Sequence, residues 1–430
     1  MQPKLLSVWG IIPILMISIS TYILPATTVQ AQQIDILLKG GHVIDPKNDV
    51  DSPMDVAVAD GKIFRVAENI PDDNARRVVN VSGMYVTPGI IDMHVHAYRK
   101  ATRALNPDAF SFRSGVTTVV DGGTTGWRNF LQFKDQDIDN VQTRVLAFLS
   151  IAGNGSAYVT RRGRGESQSR ITTQDLGNMD PVLTAYRINE YPDILVGVKV
   201  QHYEGPDFTP VERAVEAGEI AGVPVMVDFG GHRPPLSLET LLMEKLRPGD
   251  IFTHTYYSSG GREGPLDENG KVKPFIFEAR EKGILFSVGH GGGAFLWHHA
   301  IPAMEQGFDP DIIDSDLHIY SMNDGMKDMT NLMSKFLNLG LSMQDVILRT
   351  TWNPALSINR DDLGNLDEGA GADIAVFSMR EGDFGFLDSR GRSMQGSRKL
   401  ETELTLRAGR VMWDLNGIAS TPWNEEPTQY

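Results

Sequence analysis

Cysteine is absent from all 430 residues of the chain. That excludes disulfides, zinc–thiolate sites, a thiol nucleophile and a lipid-bearing cysteine, and it leaves imidazole, carboxylate or modified lysine to hold any metal. No long Lys/Arg run is present either, and the formal net charge is −15. Without a basic stripe to track phosphates, the composition argues against nucleic acid as a partner. Long hydrophobic runs are missing everywhere but at the start. Residues 5–24 form one nearly uncharged apolar run after the basic opening Met1-Gln2-Pro3-Lys4. Val29 and Ala31 then stand like the small residues before a signal-peptidase cut. Residues 1–31 therefore read as a signal peptide, and the mature chain is expected to begin near Gln32, periplasmic or secreted. An uncleaved anchor is the rival, because the run nearly spans a bilayer. The cut site and the lack of basic stop-transfer residues favour cleavage, so the membrane is met only through the signal segment.

Hydrophobic residues make up 41% of the sequence, enough for a large core. Short alternating strands separated by Gly, Pro, Asn and Asp are expected at 34–38, 42–44, 54–59, 62–66 and 77–81. The same texture returns after Gly364, at 373–378, 403–407 and 410–414, so 32–84 and 364–418 are expected to build one small composite β-sandwich. Between them, 85–363 alternates apolar runs with amphipathic stretches. Strands are expected at 90–96, 116–121, 144–151, 195–200, 225–229, 251–255, 285–290 and 312–316, with helices at 210–221, 236–246, 274–282 and 328–339 among them. Eight such units predict an α/β chain whose parallel sheet closes into a (β/α)8 TIM-type barrel, ahead of an open doubly wound sheet.

The ends of those strands carry, in order, His94 and His96, Asp121, Ser150, Lys199, Asp228, His254, His290 and Asp316. Barrel active sites are built there, and a merely buried strand should end in apolar or turn residues. His94 and His96, two apart, share one face of a strand and form half a site for a zinc-like ion. Asp92 has the same parity and is expected to orient one of the imidazoles. Lys199 interrupts the apolar run Val196-Gly197-Val198-Lys199-Val200. A buried lysine is costly unless paired, neutral or modified, and a neutral amine can take up carbon dioxide to become a carbamate able to bridge two cations. His254 ends another apolar run. Asp316 offers a carboxylate as ligand and general base, with Asp314 as the fallback. His290 opens the turn Gly291-Gly292-Gly293, whose backbone can approach a ligand, and is expected to touch substrate. The Arg161-Arg162-Gly163-Arg164 stretch reads as a solvated loop, and His298-His299 as surface or partly packed.

Taken together, these residues resemble the amidohydrolase superfamily, particularly its dihydroorotase-like amidohydrolase/deacetylase branch. The resemblance runs from about residue 34 to 416. It is carried by Pro88-Gly89-Ile90-Ile91-Asp92-Met93-His94-Val95-His96, Gly197-Val198-Lys199-Val200, Arg247-Pro248-Gly249-Asp250-Ile251-Phe252-Thr253-His254, Met333-Ser334-Lys335-Phe336-Leu337 and Thr351-Trp352-Asn353-Pro354-Ala355. It implies a (β/α)8 barrel with a β-sandwich from both termini. It further implies His94 and His96 as ligands of one ion, Lys199 as a carbamylated bridge, His254 as ligand of a second ion, and Asp316 as last-strand ligand and base. One position departs. The branch has a histidine at the end of the fifth strand, where this chain reads Val225-Met226-Val227-Asp228-Phe229-Gly230-Gly231-His232. Asp228, which keeps strand register, is expected to take its place; His232 reaching in from the loop, or a weak second site, are the alternatives. His232 and His318 join His290 as expected substrate contacts.

The expected function is a metal-dependent hydrolase holding one or two divalent ions, Zn2+ foremost, with a carbamate formed on Lys199 from CO2. A metal-activated hydroxide would split an amide bond, N-acyl or cyclic, or a small ester, in a small-molecule substrate chosen by loops 153–170, 256–273 and 291–299. The alternatives are a catalytically silent ligand-binding barrel and an acetyl-ester deacetylase rather than an amidase. A homo-oligomer is compatible with the sequence.

Overall fold

Each terminus of the chain contributes strands to one sheet. The computed structural model describes residues 33–101, 103–156 and 173–425. The expected signal peptide, the 161–164 arginine loop and most of the 153–170 loop lie outside the described residues. Strands β1 (Ile36–Asp45), β2 (Val50–Ala59), β3 (Lys62–Ala67), β4 (Val78–Asn80) and β5 (Tyr85–Pro88) join β13 (Ile374–Leu387), β14 (Ser393–Arg407) and β15 (Arg410–Asp414). The order is β15-β14-β13-β5-β1-β2-β3, with β4 pairing β1. Alternating apolar positions such as Leu38, Val56, Val58, Val86, Ile374, Val376 and Leu404 bury against one another as its core.

Seven parallel strands follow: β6 (Ile90–Val95), β7 (Val116–Gly126), β8 (Arg144–Ser150), β9 (Leu195–Val200), β10 (Val225–Val227), β11 (Ile251–Phe252) and β12 (Leu285–Phe286), each bonded to the next. They are buried almost throughout, as parallel strands covered on both faces must be. The eighth expected strand is not a regular one, yet it closes the ring. Ile312 bridges Ser287 and Leu317 bridges Val95, both in parallel, so residues 312–317 join the seventh strand to the first. Ile91, Met93, Val120, Phe148, Met226 and Ile251 form an apolar plug completed by Ala355 and Leu363. On each strand these residues precede the polar ones, so the plug lies below the polar strand ends. Among the described residues no helix is long and apolar enough to cross a membrane.

Two boundaries differ from expectation. Residues 85–88, read as the start of the barrel, belong to the composite sheet: Val86 pairs with both Val43 and Val376, and the barrel begins at Ile90. Periodicity cannot separate a strand that finishes one sheet from one that opens the next when a single glycine divides them. The β13–β14 hairpin is also far longer than its apolar core implied. Its exposed, polar middle carries the tip to the barrel, where Trp297 Nε1 donates to Phe386 O at 3.1 Å and Ser389 N to Phe295 O at 2.9 Å.

Candidate metal centre

His94 and His96 leave the end of β6 with their Nε2 atoms facing Asp316. The Asp316 Oδ1 atom is 3.1 Å from His96 Nε2 and 3.7 Å from His94 Nε2. One donor atom from each of the three lies within 4.8 Å of the others. Each imidazole has its other nitrogen engaged. His96 Nδ1 meets Thr124 Oγ1 at 2.8 Å, and that hydroxyl donates to buried Asp121 at 2.8 Å. His94 Nδ1 meets Thr253 Oγ1 at 3.3 Å, and His254 Nδ1 meets Gly289 O at 2.5 Å. Partners on Nδ1 fix the ring orientation and leave the Nε2 lone pairs for the cavity, the arrangement typical of metal-binding histidines.

Lys199 reaches the same place from β9. Its Nζ is 3.0 Å from His94 Nε2 and 3.1 Å from Met226 Sδ, and the residue is 1% exposed. Burial pushes its ammonium down to about 8, against the pull of Asp228 and Asp316. Asp316 moves the other way: burial raises its carboxyl, but the charges of His94, His96 and His318 prevail and hold it well below the usual carboxylate range. It is therefore an acceptor at neutral pH. Asp228 follows β10 and also lines the cavity, which has a volume of about 50 Å³. Arg262 Nη1 donates to its Oδ1 at 2.5 Å, while Oδ2 is 3.5 Å from His254 Nε2. His318 lines the cavity as well, its Nδ1 accepting from Ser321 N at 3.3 Å, so that Nε2 carries the proton.

Of the expected site residues, His94, His96, Lys199, Asp228, His254, Asp316 and His318 converge. His290 and His232, the other expected substrate contacts, stand outside that cavity's wall. His290 is wholly buried behind the cavity, its Nδ1 on Gly291 O and its Nε2 2.6 Å from Lys335 Nζ. After β12 the chain stays bonded to the eighth segment, Val288 N donating to Ile312 O and Gly291 N to Ser315 O, and the Asp314 carboxylate accepts from Ser287 Oγ and Gly289 N. That also retires Asp314 as the fallback ligand. His232 lies tilted against Phe229 with ring centres 4.7 Å apart, and its Nδ1 meets Gly205 O at 3.1 Å. Asp92 orients no imidazole: its carboxylate takes Ser315 N at 2.9 Å and the Ser315 hydroxyl, where register slips between Asp92 and Val95.

Four residues escaped the sequence reading. His202 follows β9 by two residues, Thr124 lies near the end of β7 and Arg103 in a loop at the cavity wall, and Lys335 sits on a helix. Only Lys335 carried a signal, as a lone charge in the apolar stretch Met333-Ser334-Lys335-Phe336-Leu337. Backbone strain marks the site too. Eight described non-glycine residues have positive φ, and three of them, His202, His254 and Asp316, face the cavity. Such strain concentrates where function demands a geometry. A larger concavity, about 550 Å³, opens at the other end of the strands beside Arg247 and Asn353, with no imidazole in its wall.

A closed parallel barrel with imidazoles and a carboxylate gathered at its strand ends defines a metal-dependent barrel hydrolase. The chain is similar to a deacetylase of Enterococcus faecalis, 29% identical over 385 residues that span 88% of this chain and 98% of that protein. It is 32% identical over 341 residues to a deacetylase of Agrobacterium fabrum, spanning 77% and 80% of the two chains. A crystal structure of an adenine deaminase superposes with a TM-score of 0.78 at 27% identity, covering 89% of this chain and 100% of that one. No family model matches. The chain belongs to the amidohydrolase superfamily.

Proposed function

We propose that the chain hydrolyses a small N-acyl compound, an acetylated amine first of all, and that Lys199 works as its carbamate. The observation that carries the reading is the convergence of the His94 and His96 Nε2 atoms and the Asp316 carboxylate on one point at the barrel's strand ends. That relatives are named deacetylases supports the acetyl group. The donor set fits a divalent ion of the zinc type: imidazole nitrogens aimed by their Nδ1 partners, carboxylate oxygen, and no sulfur. His94, His96 and Asp316 would hold such an ion, with His254, Asp228 and a carbamate on Lys199 beside them, and when bound it would supply Lewis acidity and lower the pKa of water.

The chain's own groups supply the rest. Burial keeps part of the Lys199 amine uncharged at neutral pH. That amine adds to the carbon of CO2 and releases one proton, giving an anionic oxygen donor. Asp316 takes a proton from the attacking water as its oxygen bonds to the acyl carbon. The C–N bond then breaks, and Asp316 returns the proton to the leaving nitrogen. The His318 Nε2–H faces the cavity and donates to the oxygen on which negative charge grows. Arg103 lines the same wall and favours a leaving group bearing a carboxylate, as in an N-acetyl-amino acid.

The test is turnover by metal-loaded enzyme of N-acetyl-amino acids, cyclic amides and acetyl esters, side by side. N-Acetyl-amino acids should react fastest. Failure of folded, loaded enzyme to hydrolyse any of them refutes the reading, and a preference for uncharged esters replaces it with ester deacetylation. We further propose export, read from a mature N-terminus near Gln32 by intact mass.

A further inference from the structure

Behind the cavity lie two buried groups that the hydrolysis above does not use. His290 and Lys335 are both fully enclosed. Lys335 Nζ is 2.6 Å from His290 Nε2, 2.8 Å from Gly325 O and 2.7 Å from Leu387 O. Across the same imidazole, His290 Nδ1 is 2.8 Å from Gly291 O. A carbonyl oxygen carries no proton, so Nδ1 donates. Burial and the neighbouring Lys335 keep the ring neutral, which leaves Nε2 bare and makes Lys335 the donor there. Burial pulls the Lys335 ammonium down to about 7, but none of its three acceptors can supply a proton, so these contacts hold it charged. One protonation pattern thus satisfies both groups.

The carbonyl held by His290 belongs to the glycine turn that backs the cavity. Gly291 N donates to Ser315 O at 2.9 Å, and a Cβ on Gly291 would collide with Asp316 Oδ2. A Cβ on Gly292 would come within 3.4 Å of His318 Cε1. Base and oxyanion donor therefore rest against adjacent glycines. The tip of the β13–β14 hairpin grips this turn from outside. Ser389 Oγ accepts from Phe295 N at 3.1 Å and lies 3.4 Å from His290 O, and Lys335 ties the same tip through Leu387 O. The tip is itself fixed, with Asp388 Oδ1 accepting from Arg390 N at 2.8 Å and from Arg392 N at 2.9 Å.

Resting on the hydrolytic roles of Asp316 and His318 above, we infer that His290 and Lys335 are positioning residues of the reaction: with the hairpin tip they hold the glycine turn against those two groups. The turn then fixes where Asp316 meets water and where His318 meets the acyl oxygen. A misplacement of about 1 Å at such groups costs on the order of 100-fold in rate. The composite sheet thereby governs the chemistry without touching substrate.

The experiment uses the shapes of two amides. Asn at position 290 places its NH2 where Nδ1 stands and keeps the bond to Gly291 O. Gln places its carbonyl where Nε2 stands and keeps only the bond from Lys335. The full chain is loaded with Co2+, and visible absorption is recorded for wild type, His290→Asn, His290→Gln and Ser389→Ala, with melting as the check of folding. kcat and KM follow on the N-acetyl-amino acid that wild type turns over fastest. His290→Gln should shift the cobalt bands, because Asp316 moves, and its kcat should fall about 10- to 100-fold below that of His290→Asn while KM changes less than about threefold. Ser389→Ala, which loosens only the hairpin's grip, should move spectrum and kcat the same way to a smaller degree, and it decides the matter if the His290 variants do not fold. Equal spectra and kcat in folded His290→Asn and His290→Gln, or failing those a Ser389→Ala protein identical to wild type, overturn the positioning role and leave the hydrolytic reading standing. Wild type that binds cobalt yet hydrolyses no N-acetyl-amino acid overturns the hydrolytic reading, and the positioning role with it.

Discussion

Replacing Gly291 by alanine should disable the enzyme without altering any group that carries its chemistry. A Cβ on Gly291 would lie 2.3 Å from Asp316 Oδ2 and 3.2 Å from its Cγ. Comfortable contact begins near 3.5 Å, so the carboxylate must retreat by about 1 Å. It has little freedom to do so in register, because Oδ1 is 3.1 Å from His96 Nε2 and the backbone of Asp316 is itself left-handed at φ 48°. A displacement of about 1 Å at a reacting group costs on the order of 100-fold in rate, which is about 2.7 kcal/mol on the barrier. Left-handed backbone, φ 53° at Gly291, adds a stability cost of about 1 kcal/mol for alanine. Gly293 is the matched control: a Cβ there would meet no atom within 4 Å, and its φ is not positive. The assay is kcat of metal-loaded protein on the best N-acetyl substrate, with melting and metal content recorded alongside. Gly293→Ala should keep wild-type kcat. Gly291→Ala that stays within about twofold of wild type would show that the position of Asp316 does not limit turnover.

Three further outcomes are expected. Asp316→Asn should lower kcat by about 100- to 10,000-fold while the protein stays folded; near wild-type turnover removes Asp316 as the base. Lys335→Met should destabilise the fold by about 3 kcal/mol, since it strands three buried acceptors: His290 Nε2, Gly325 O and Leu387 O now lie 2.6, 2.8 and 2.7 Å from Nζ. Urea unfolding measures it, and a loss under about 1 kcal/mol would mean that the hairpin tip does not depend on the lysine. Burial lowers His299 from 6.5 to about 4, so between those values the unfolded chain binds more protons there. The stability it contributes is lost as pH falls, while Asp92 and Asp314, raised to about 7 and about 6, act in the opposite sense. Melting temperature should therefore drop more between pH 6.5 and 4 in wild type than in His299→Asn, whereas parallel profiles contradict the assignment.

Much of this protein was legible from local pattern alone. Eight apolar runs, the His-x-His pair ending the first and the lysine inside the fourth are short-range features, and burial of whole runs follows from hydrophobicity alone. The barrel, the two-ended sheet and the cluster of His94, His96, Lys199, His254 and Asp316 were accordingly accessible from the chain itself. What the three-dimensional fold decided was which polar strand end turns inward. His290 was the expected contact and His202 was not, yet His290 lies against Lys335, whereas the turn after β9 points His202 at Asp228. Asp228 itself takes its orientation from Arg262, 34 residues later in the chain. Hydrophobic periodicity records which side of an element is wet; it holds no information about which partner a distant loop brings, because that depends on contacts made only once the ring has closed.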